Sequence, residues 1–298
     1  MPSPPRPRRS VLFMPGSNVR AHDKARGLAP DGLIFDLEDA VAPASKCAAR
    51  DAVARSIAAG GYGRRELFVR VNAFATEWGH ADLVAAASMP IDAVLLPKVE
   101  SADAVRQAEA VLVAADAPPH LAIWCMIETP RGVLRVEEIA SASARVGGLV
   151  MGTTDLTKDL RARSTRDRAA LLPSLGICLL AARACGLAIL DGVHLDLTDS
   201  AGLLESCRQG RELGFDGKTL IHPNTITTAN MVFGPSPEEV EWSRRVIAAH
   251  REAADADKGV VVLDGQLIEN VHVETARQVV ELAGAIVSLD VANKAGIG

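Results

Sequence analysis

Aromatic side chains are scarce in this chain: one Tyr, six Phe and three Trp among 298 residues. Its core must therefore be aliphatic, built from Val, Leu, Ile and Ala, which suits a parallel sheet covered on both faces by helices. An excess of basic residues is also missing. The 32 Lys and Arg against 37 Asp and Glu leave a net charge of −5, and no basic face is interleaved with aromatics, so nucleic-acid binding lacks its electrostatic footprint. No long apolar segment occurs at the start. The basic, Pro-rich "MPSPPRPRRS" runs straight into "VLFMPG", which is neither a signal peptide nor a membrane span, and residues 1–9 read as a disordered tail. The five cysteines (Cys47, Cys125, Cys178, Cys185, Cys207) form no C-x-x-C pair. Most sit in apolar or helical segments, where a thiol acts as a small hydrophobe, and a reducing cytoplasm fits that usage best. Finally, no G-x-G-x-x-G follows the first strand. "MPGSN" lacks the second and third glycines of a dinucleotide-binding turn.

What is present is a regular alternation of short apolar runs with longer Ala-rich stretches. Eight candidate strands emerge at 10–16, 32–39, 67–72, 92–98, 121–129, 147–155, 188–196 and 216–223. Between them lie helix-like segments such as 42–60, 101–116 and 200–214, which open with Ser, Asp or Pro and close near Gly. Strand then helix, eight times, predicts an α/β fold of the (β/α)8 TIM-barrel type over residues 10–234. Residues 235–298 exceed the eight units and read as a helix–hairpin–helix extension, the hairpin turning at Asp264-Gly265.

The apolar strands turn polar at their last residues. Glu38 and Asp39, Arg70 and Asn72, Lys98, Glu128, Asp155 and His222 all fall at strand ends, and in a barrel those ends share one face, the one that carries catalysis. Glu128 in "MIETPRG" and Asp155 in "MGTTDLT" end consecutive strands. Two carboxylates make a poor cage for calcium or zinc but suit Mg²⁺, which fills its octahedron with water and substrate oxygens. Gly152 and Thr153 bring backbone N–H groups and a hydroxyl to the same rim. Arg70, flanked by valines in "VRVN", demands an anionic partner: Glu38, Asp39 or a substrate carboxylate. In the first turn, "MPGSNVRAHDKARG", Ser17 or Asn18 would cap a helix. Arg20 and Lys24 lie one turn apart there, as an anion site or as a solvated basic face. Lys98 could address a phosphate or an acidic rim residue, and His222 in "IHPN" closes the last strand.

Taken together, "LFMPGSN", "FDLEDAV", "FVRVN", "LLPKVES", "IETPRGV", "GTTDLT" and "GKTLIHPN" resemble the citrate lyase β-subunit-like acyl-CoA lyases of the HpcH/HpaI aldolase superfamily. The resemblance covers about residues 10–230. It implies Mg²⁺ on Glu128 and Asp155, carboxylate binding by Arg70, and substrate contacts from Arg20, Lys24, Ile221 and His222. Glu38 or Asp39 would orient Arg70 or relay a proton. The implied activity is a Mg²⁺-dependent carbon–carbon lyase that cleaves or forms a small 3-hydroxyacyl-CoA (citryl-, malyl- or citramalyl-CoA-like) from an acyl-CoA and a 2-keto acid, with thioester hydrolysis as a variant. An aldolase on free hydroxy-keto acids and an acyl-carrier-binding subunit of a citrate lyase-like complex are the alternatives. The resemblance also implies a homo-oligomer, a trimer or hexamer, in which the extension folds as a lid over a barrel mouth. Many relatives place an Asp there in a "G-x-M-I-D" turn, whereas this chain reads Gly265-Gln266-Leu267-Ile268-Glu269, making Glu269 the candidate acid.

Overall fold

The computed structural model describes residues 6–255 and 261–295. Eight strands, β1 Ser10–Pro15, β2 Gly32–Asp36, β3 Glu66–Arg70, β4 Ala93–Leu96, β5 Ala122–Ile127, β6 Val146–Met151, β7 Ala188–Asp191 and β8 Gly217–Leu220, pair in sequence order. All are parallel, and β8 returns to β1 to close the barrel. With helices joining successive strands, the expected (β/α)8 architecture forms.

The near-continuous apolar strands resolve into two faces of period two. Val11, Ile34, Phe68, Leu95, Trp124 and Val150 form one cluster inside the barrel, while their neighbours Leu12, Leu33, Phe35, Val69, Ile123 and Leu149 belong to the larger layer beneath the helices. Trp124 is the bulkiest interior residue, edge-on to Phe68 with ring centroids 5.2 Å apart. Two glycines on β6 make room for it: a Cβ on Gly148 would lie 2.6 Å from the Trp124 ring, and one on Gly147 would lie 3.0 Å from it.

The strands end earlier than their apolar runs suggest. β2 stops at Asp36 because the Asp36 carboxylate accepts the backbone N–H groups of Glu38 (2.9 Å) and Ala40 (3.0 Å), turning the chain out of the ladder. Likewise β7 stops at Asp191, so "VHLD" lies in a loop over the mouth.

At the foot of the barrel residues 6–9 depart from the expectation of a disordered tail over residues 1–9. Residues 1–5 lie outside the described residues, but Arg6 to Arg9 are held. Arg6 donates to Asp92 (2.6 Å), Arg8 to Glu66 (2.6 and 2.8 Å) with its guanidinium over the Trp124 ring, and Arg9 to Asp31 (2.8 and 2.7 Å). The composition suggested a solvated segment, yet each arginine answers an acid at or just before the start of a strand.

The extension has the expected order. A helix, Pro237–Asp255, precedes the antiparallel pair Val261–Leu263 and Gln266–Ile268, and a second helix, Asn270–Ala295, follows. Asp264 and Gly265 both have positive φ (49° and 80°), the conformation a two-residue hairpin turn of this type requires. The far end of the last helix returns to the foot: the Asn293 side chain accepts the Arg64 N–H (3.0 Å), and Asp290 lies 3.6 Å from Arg9. Within one chain the extension therefore braces the end opposite the mouth. No helix among the described residues is long and apolar enough to cross a membrane.

Because the barrel interior has no slack at Trp124, Gly148→Ala should destabilise the protein by about 1–3 kcal/mol, the range for overpacked cores. Urea denaturation would measure it; an unchanged midpoint would show that the indole can shift freely.

Candidate active site at the barrel mouth

Period two carries polar residues from the barrel interior up to its rim. On β2 the inward series Ile34, Asp36 ends in charge; on β3 it is Phe68, Arg70; on β5 it is Trp124, Met126, then Glu128 just past the strand. The parallel register sets Asp36 beside Arg70. The guanidinium meets the carboxylate in a two-pronged bond, Nε to Oδ1 and Nη2 to Oδ2, both 2.7 Å, with both residues buried. Its third nitrogen, Nη1, lies 3.3 Å from Glu38 Oε2 and 3.6 Å from the Met126 sulfur, and the Phe13 ring packs against the plane at 4.8 Å. Burial alone would lower the Arg70 pKa, but Asp36 overrides it, so the arginine stays charged. Sequence reasoning named Glu38 or Asp39 as the partner and passed over Asp36, the main one. The signal was available, since Asp36 and Arg70 each end their strand.

Around this pair the carboxylates are braced from behind. Lys98, two residues beyond the end of β4, has φ of 49°, a left-handed conformation uncommon for a side chain of its kind. In that conformation its N–H donates to Glu128 Oε1 (2.8 Å), while its ammonium donates to Glu38 (2.9 Å) and approaches Asp155 (4.0 Å). Lys98 thus addresses the acidic rim. Gly152 has to be glycine: a Cβ there would collide with Glu128 Cβ and lie 2.5 Å from its Oε2. Burial pushes the Glu128 carboxyl up to about 7, against the lowering influence of the Lys98 amide and Arg70; Asp155 and Glu38 raise it further.

The charge balance tests the metal expectation. Asp36, Glu38, Glu128 and Asp155 face only Arg70 and Lys98, leaving two negative charges unanswered at the spot where Glu128 and Asp155 converge. A divalent cation fits that deficit. No group of three or more Asp, Glu, His or Cys suited to a metal occurs among the described residues, so such a cation would draw its other ligands from water or substrate.

Asp36, Arg70, Glu128 and Asp155 line a cavity of about 270 Å³ together with Asp39, Gly152, Thr153 and Ile221, its apolar wall coming from Phe13, Met126, Met151, Val193 and Leu195. Other expected contacts stand outside it. Arg20 and Lys24 are exposed on the helix Val19–Ala25, capped by Asn18, whose side chain accepts the Ala21 N–H (3.1 Å). His222 is exposed and bonded to Asn224 (2.8 Å). Glu269 opens the last helix, and its N–H is taken by the His272 ring (2.9 Å); it does not line this cavity within one chain.

Comparison with known proteins decides the kinship. The model of the family described as HpcH/HpaI aldolase/citrate lyase matches residues 9–223. The chain belongs to that family. It is 52% identical over 280 residues to a (3S)-malyl-CoA thioesterase of Cereibacter sphaeroides, covering 94% of this chain and 96% of that one. It is 36% identical to the citrate lyase subunit beta of Escherichia coli over 283 residues, 93% of this chain and 94% of that one. Among solved structures, CitE from Mycobacterium tuberculosis in complex with magnesium, acetoacetate and coenzyme A superposes with a TM-score of 0.76 at 34% identity, over 92% of this chain and 97% of that one.

The raised Glu128 pKa has a sign. The native state holds this proton more tightly than the unfolded chain, so between pH 4.5 and about 7 stability falls as pH rises, and the full penalty applies above 7. Glu128→Gln keeps an acceptor for the Lys98 amide and removes the charge. In chelator-treated protein at pH 8 it should raise stability by up to about 3 kcal/mol, the gain shrinking below pH 6. Identical melting curves at pH 8 would contradict a strained carboxylate. By contrast, Gly152→Ala should keep the fold but displace Glu128, weakening Mg²⁺ binding in calorimetric titration by about tenfold or more.

Proposed function

We propose that this chain is a Mg²⁺-dependent enzyme acting on a small 3-hydroxyacyl-CoA, a malyl-CoA-like thioester with a carboxylate on its hydroxyl carbon, and that it breaks or forms the bond between C2 and C3. The observation that carries this reading is the charge deficit at Glu128 and Asp155 beside a buried arginine with one nitrogen still facing a small cavity. The magnesium, acetoacetate and coenzyme A of the CitE complex support it. Glu128 and Asp155 would hold the ion; bound there, it supplies Lewis acidity and a template for the hydroxyl and carboxylate oxygens.

The chain's own groups do the rest. Asp36 holds two edges of Arg70 and so aims Nη1 at the cavity, where it stabilises negative charge on a substrate oxygen. Glu38, bonded to Lys98 with one oxygen and close to Arg70 with the other, is a positioning carboxylate and a poor base. Asp39 lines the cavity and is exposed, which suits it to accept the hydroxyl proton directly or through water. As that proton leaves, the C2–C3 bond breaks, its electron pair passes to the thioester as an enolate, and the hydroxyl carbon becomes the carbonyl next to the carboxylate of a 2-oxo acid. The enolate carbon then takes a proton. Gly152 and Thr153 border the keto acid, and Ile221, with Arg20, Lys24 and His222 beyond it, flanks the path of the CoA chain along the first and last strands.

A second reading is hydrolysis of the same thioester, favoured by the 52% identity to a (3S)-malyl-CoA thioesterase. The two differ in products. Incubation with malyl-CoA and Mg²⁺ gives acetyl-CoA and glyoxylate by cleavage, or free CoA and malate by hydrolysis, and mass spectrometry separates them. Glu269 enters here: in a homo-oligomer, a trimer or hexamer, its hairpin would reach a neighbour's mouth and supply an acid. Its side chain exceeds that of Asp by one methylene, and a misplacement on the order of 1 Å costs a catalytic group about 10²-fold, so hydrolysis should be the slower of the two reactions.

Glu128→Gln and Asp155→Asn should abolish Mg²⁺-dependent turnover with the fold intact; full activity in chelator would sink the proposal. Arg70→Lys keeps a charge but loses the planar fork that Asp36 grips, and turnover at saturating substrate should drop by about 10² or more. Near-normal turnover would make Arg70 a structural residue. Glu269→Asp and Glu269→Gln, with cleavage and hydrolysis measured separately, should move hydrolysis most; if both rates stay unchanged, Glu269 is only a hairpin residue.

A further inference from the structure

A second cavity, about 420 Å³, adjoins the first and shares Thr153, Thr154, Val193 and Leu195 with it. Its outer wall is the segment between the helices Thr153–Asp159 and Leu172–Ala184, and the loop after β7 closes the other side. Neither reading of the reaction uses it.

Charge is the first observation. Arg163, Arg166 and Arg168 all line this cavity. Arg166 is answered by Asp199 (2.7 Å) and Glu205 (3.4 Å), and Asp196 is turned to Thr198, accepting its N–H and hydroxyl. Arg168 shares one carboxylate with a second cation: its Nη1 lies 2.8 Å from both oxygens of Asp191, and Lys218 Nζ lies 2.7 Å from one of them. Asp191 and Lys218 are wholly buried. Burial alone would raise the Asp191 carboxyl, yet Lys218 and Arg168 hold it below the ordinary range. At the Arg168 end of the cavity one anion therefore faces two cations, a local positive excess that is costly inside a protein unless something answers it, whereas Arg166 meets two carboxylates.

Unmet hydrogen bonding is the second. Three buried side-chain polar atoms among the described residues lack a partner, and two of them, Arg168 Nη2 and His194 Nε2, belong to residues lining this one cavity. Such groups are rare in native structures and each calls for an explanation. The backbone is the third. Arg161 and Arg168 both sit at φ of 53°, so the wall segment holds its arginines in place against local preference.

We propose that this cavity binds a small oxyanion, a carboxylate or phosphate group, held by Arg163 and Arg168 with His194 and the Thr154 hydroxyl beside them. The anion comes either from the far part of a molecule whose reacting end occupies the first cavity, or from a separate small molecule bound next to it.

The test titrates inorganic phosphate into the Mg²⁺-loaded protein by calorimetry, without turnover. Saturable binding should weaken about tenfold in Arg163→Ala and in Arg168→Gln, the loss expected for a charge-assisted hydrogen bond, and should persist in Lys24→Ala on the far rim. Arg163 is exposed, so its variant reports even where Arg168→Gln fails to fold. Repeating the titration with saturating CoA separates the sources. Competition assigns the anion to the CoA ester, and undiminished binding assigns it to a separate molecule; either supports the site. Absence of saturable binding in the wild type, or equal affinity in wild type and Arg163→Ala, would overturn it.

Discussion

The mouth of the barrel is organised by the buried pair of Arg70 and Asp36. An arginine that rises from the apolar interior of a barrel needs a partner in the same layer, and the β2–β3 register supplies one. Asp36 also ends β2 by accepting two backbone N–H groups beyond it. That turn delivers Glu38 to Arg70 and Lys98, and Lys98 in turn holds Glu128 through its backbone. Loss of the pair would therefore disturb four strand ends at once, because each carboxylate is positioned by a cation that another carboxylate positions.

This chain of contacts explains why the mouth carries more negative charge than its own cations answer. The site is assembled with a deficit, and Glu128 sits within it with its carboxyl pushed up first by burial and further by Asp155 and Glu38. Close approach matters as much as charge: Gly152 admits Glu128, and Gly192 performs the same service for Thr153, since a Cβ at either position would overlap the neighbouring side chain. At the opposite end, Arg8 and Arg9 balance acids at the strand starts, and the last helix returns to the same region. Bracing and chemistry are thus kept at opposite ends of one barrel, as is general for this architecture.

The fold was legible in the sequence because its signals are local. Strand existence, the helical segments between strands and the Asp264-Gly265 hairpin follow from apolar period and turn chemistry, and each formed where expected. Residues 6–9 were not legible as ordered because composition records that Arg6, Arg8 and Arg9 are basic and Pro-flanked but does not record Asp92, Glu66 and Asp31, which lie 22 to 86 positions away.

By itself the sequence determined the barrel, the polar strand ends that gather at its mouth, and the family motifs in which Arg70, Glu128 and Asp155 stand, since each depends on residue type and short spacing along one strand or turn. Only the tertiary structure decided which carboxylate grips Arg70, that Lys98 braces two others, that Glu269 lies away from its own chain's cavity, and that Arg168 and Lys218 share a single aspartate. Those outcomes depend on register across a closed sheet and on the direction of side chains around it, and a one-residue shift in pairing would exchange inward for outward faces. Such relations are properties of neighbouring strands, which the linear order of residues specifies only once the barrel has closed.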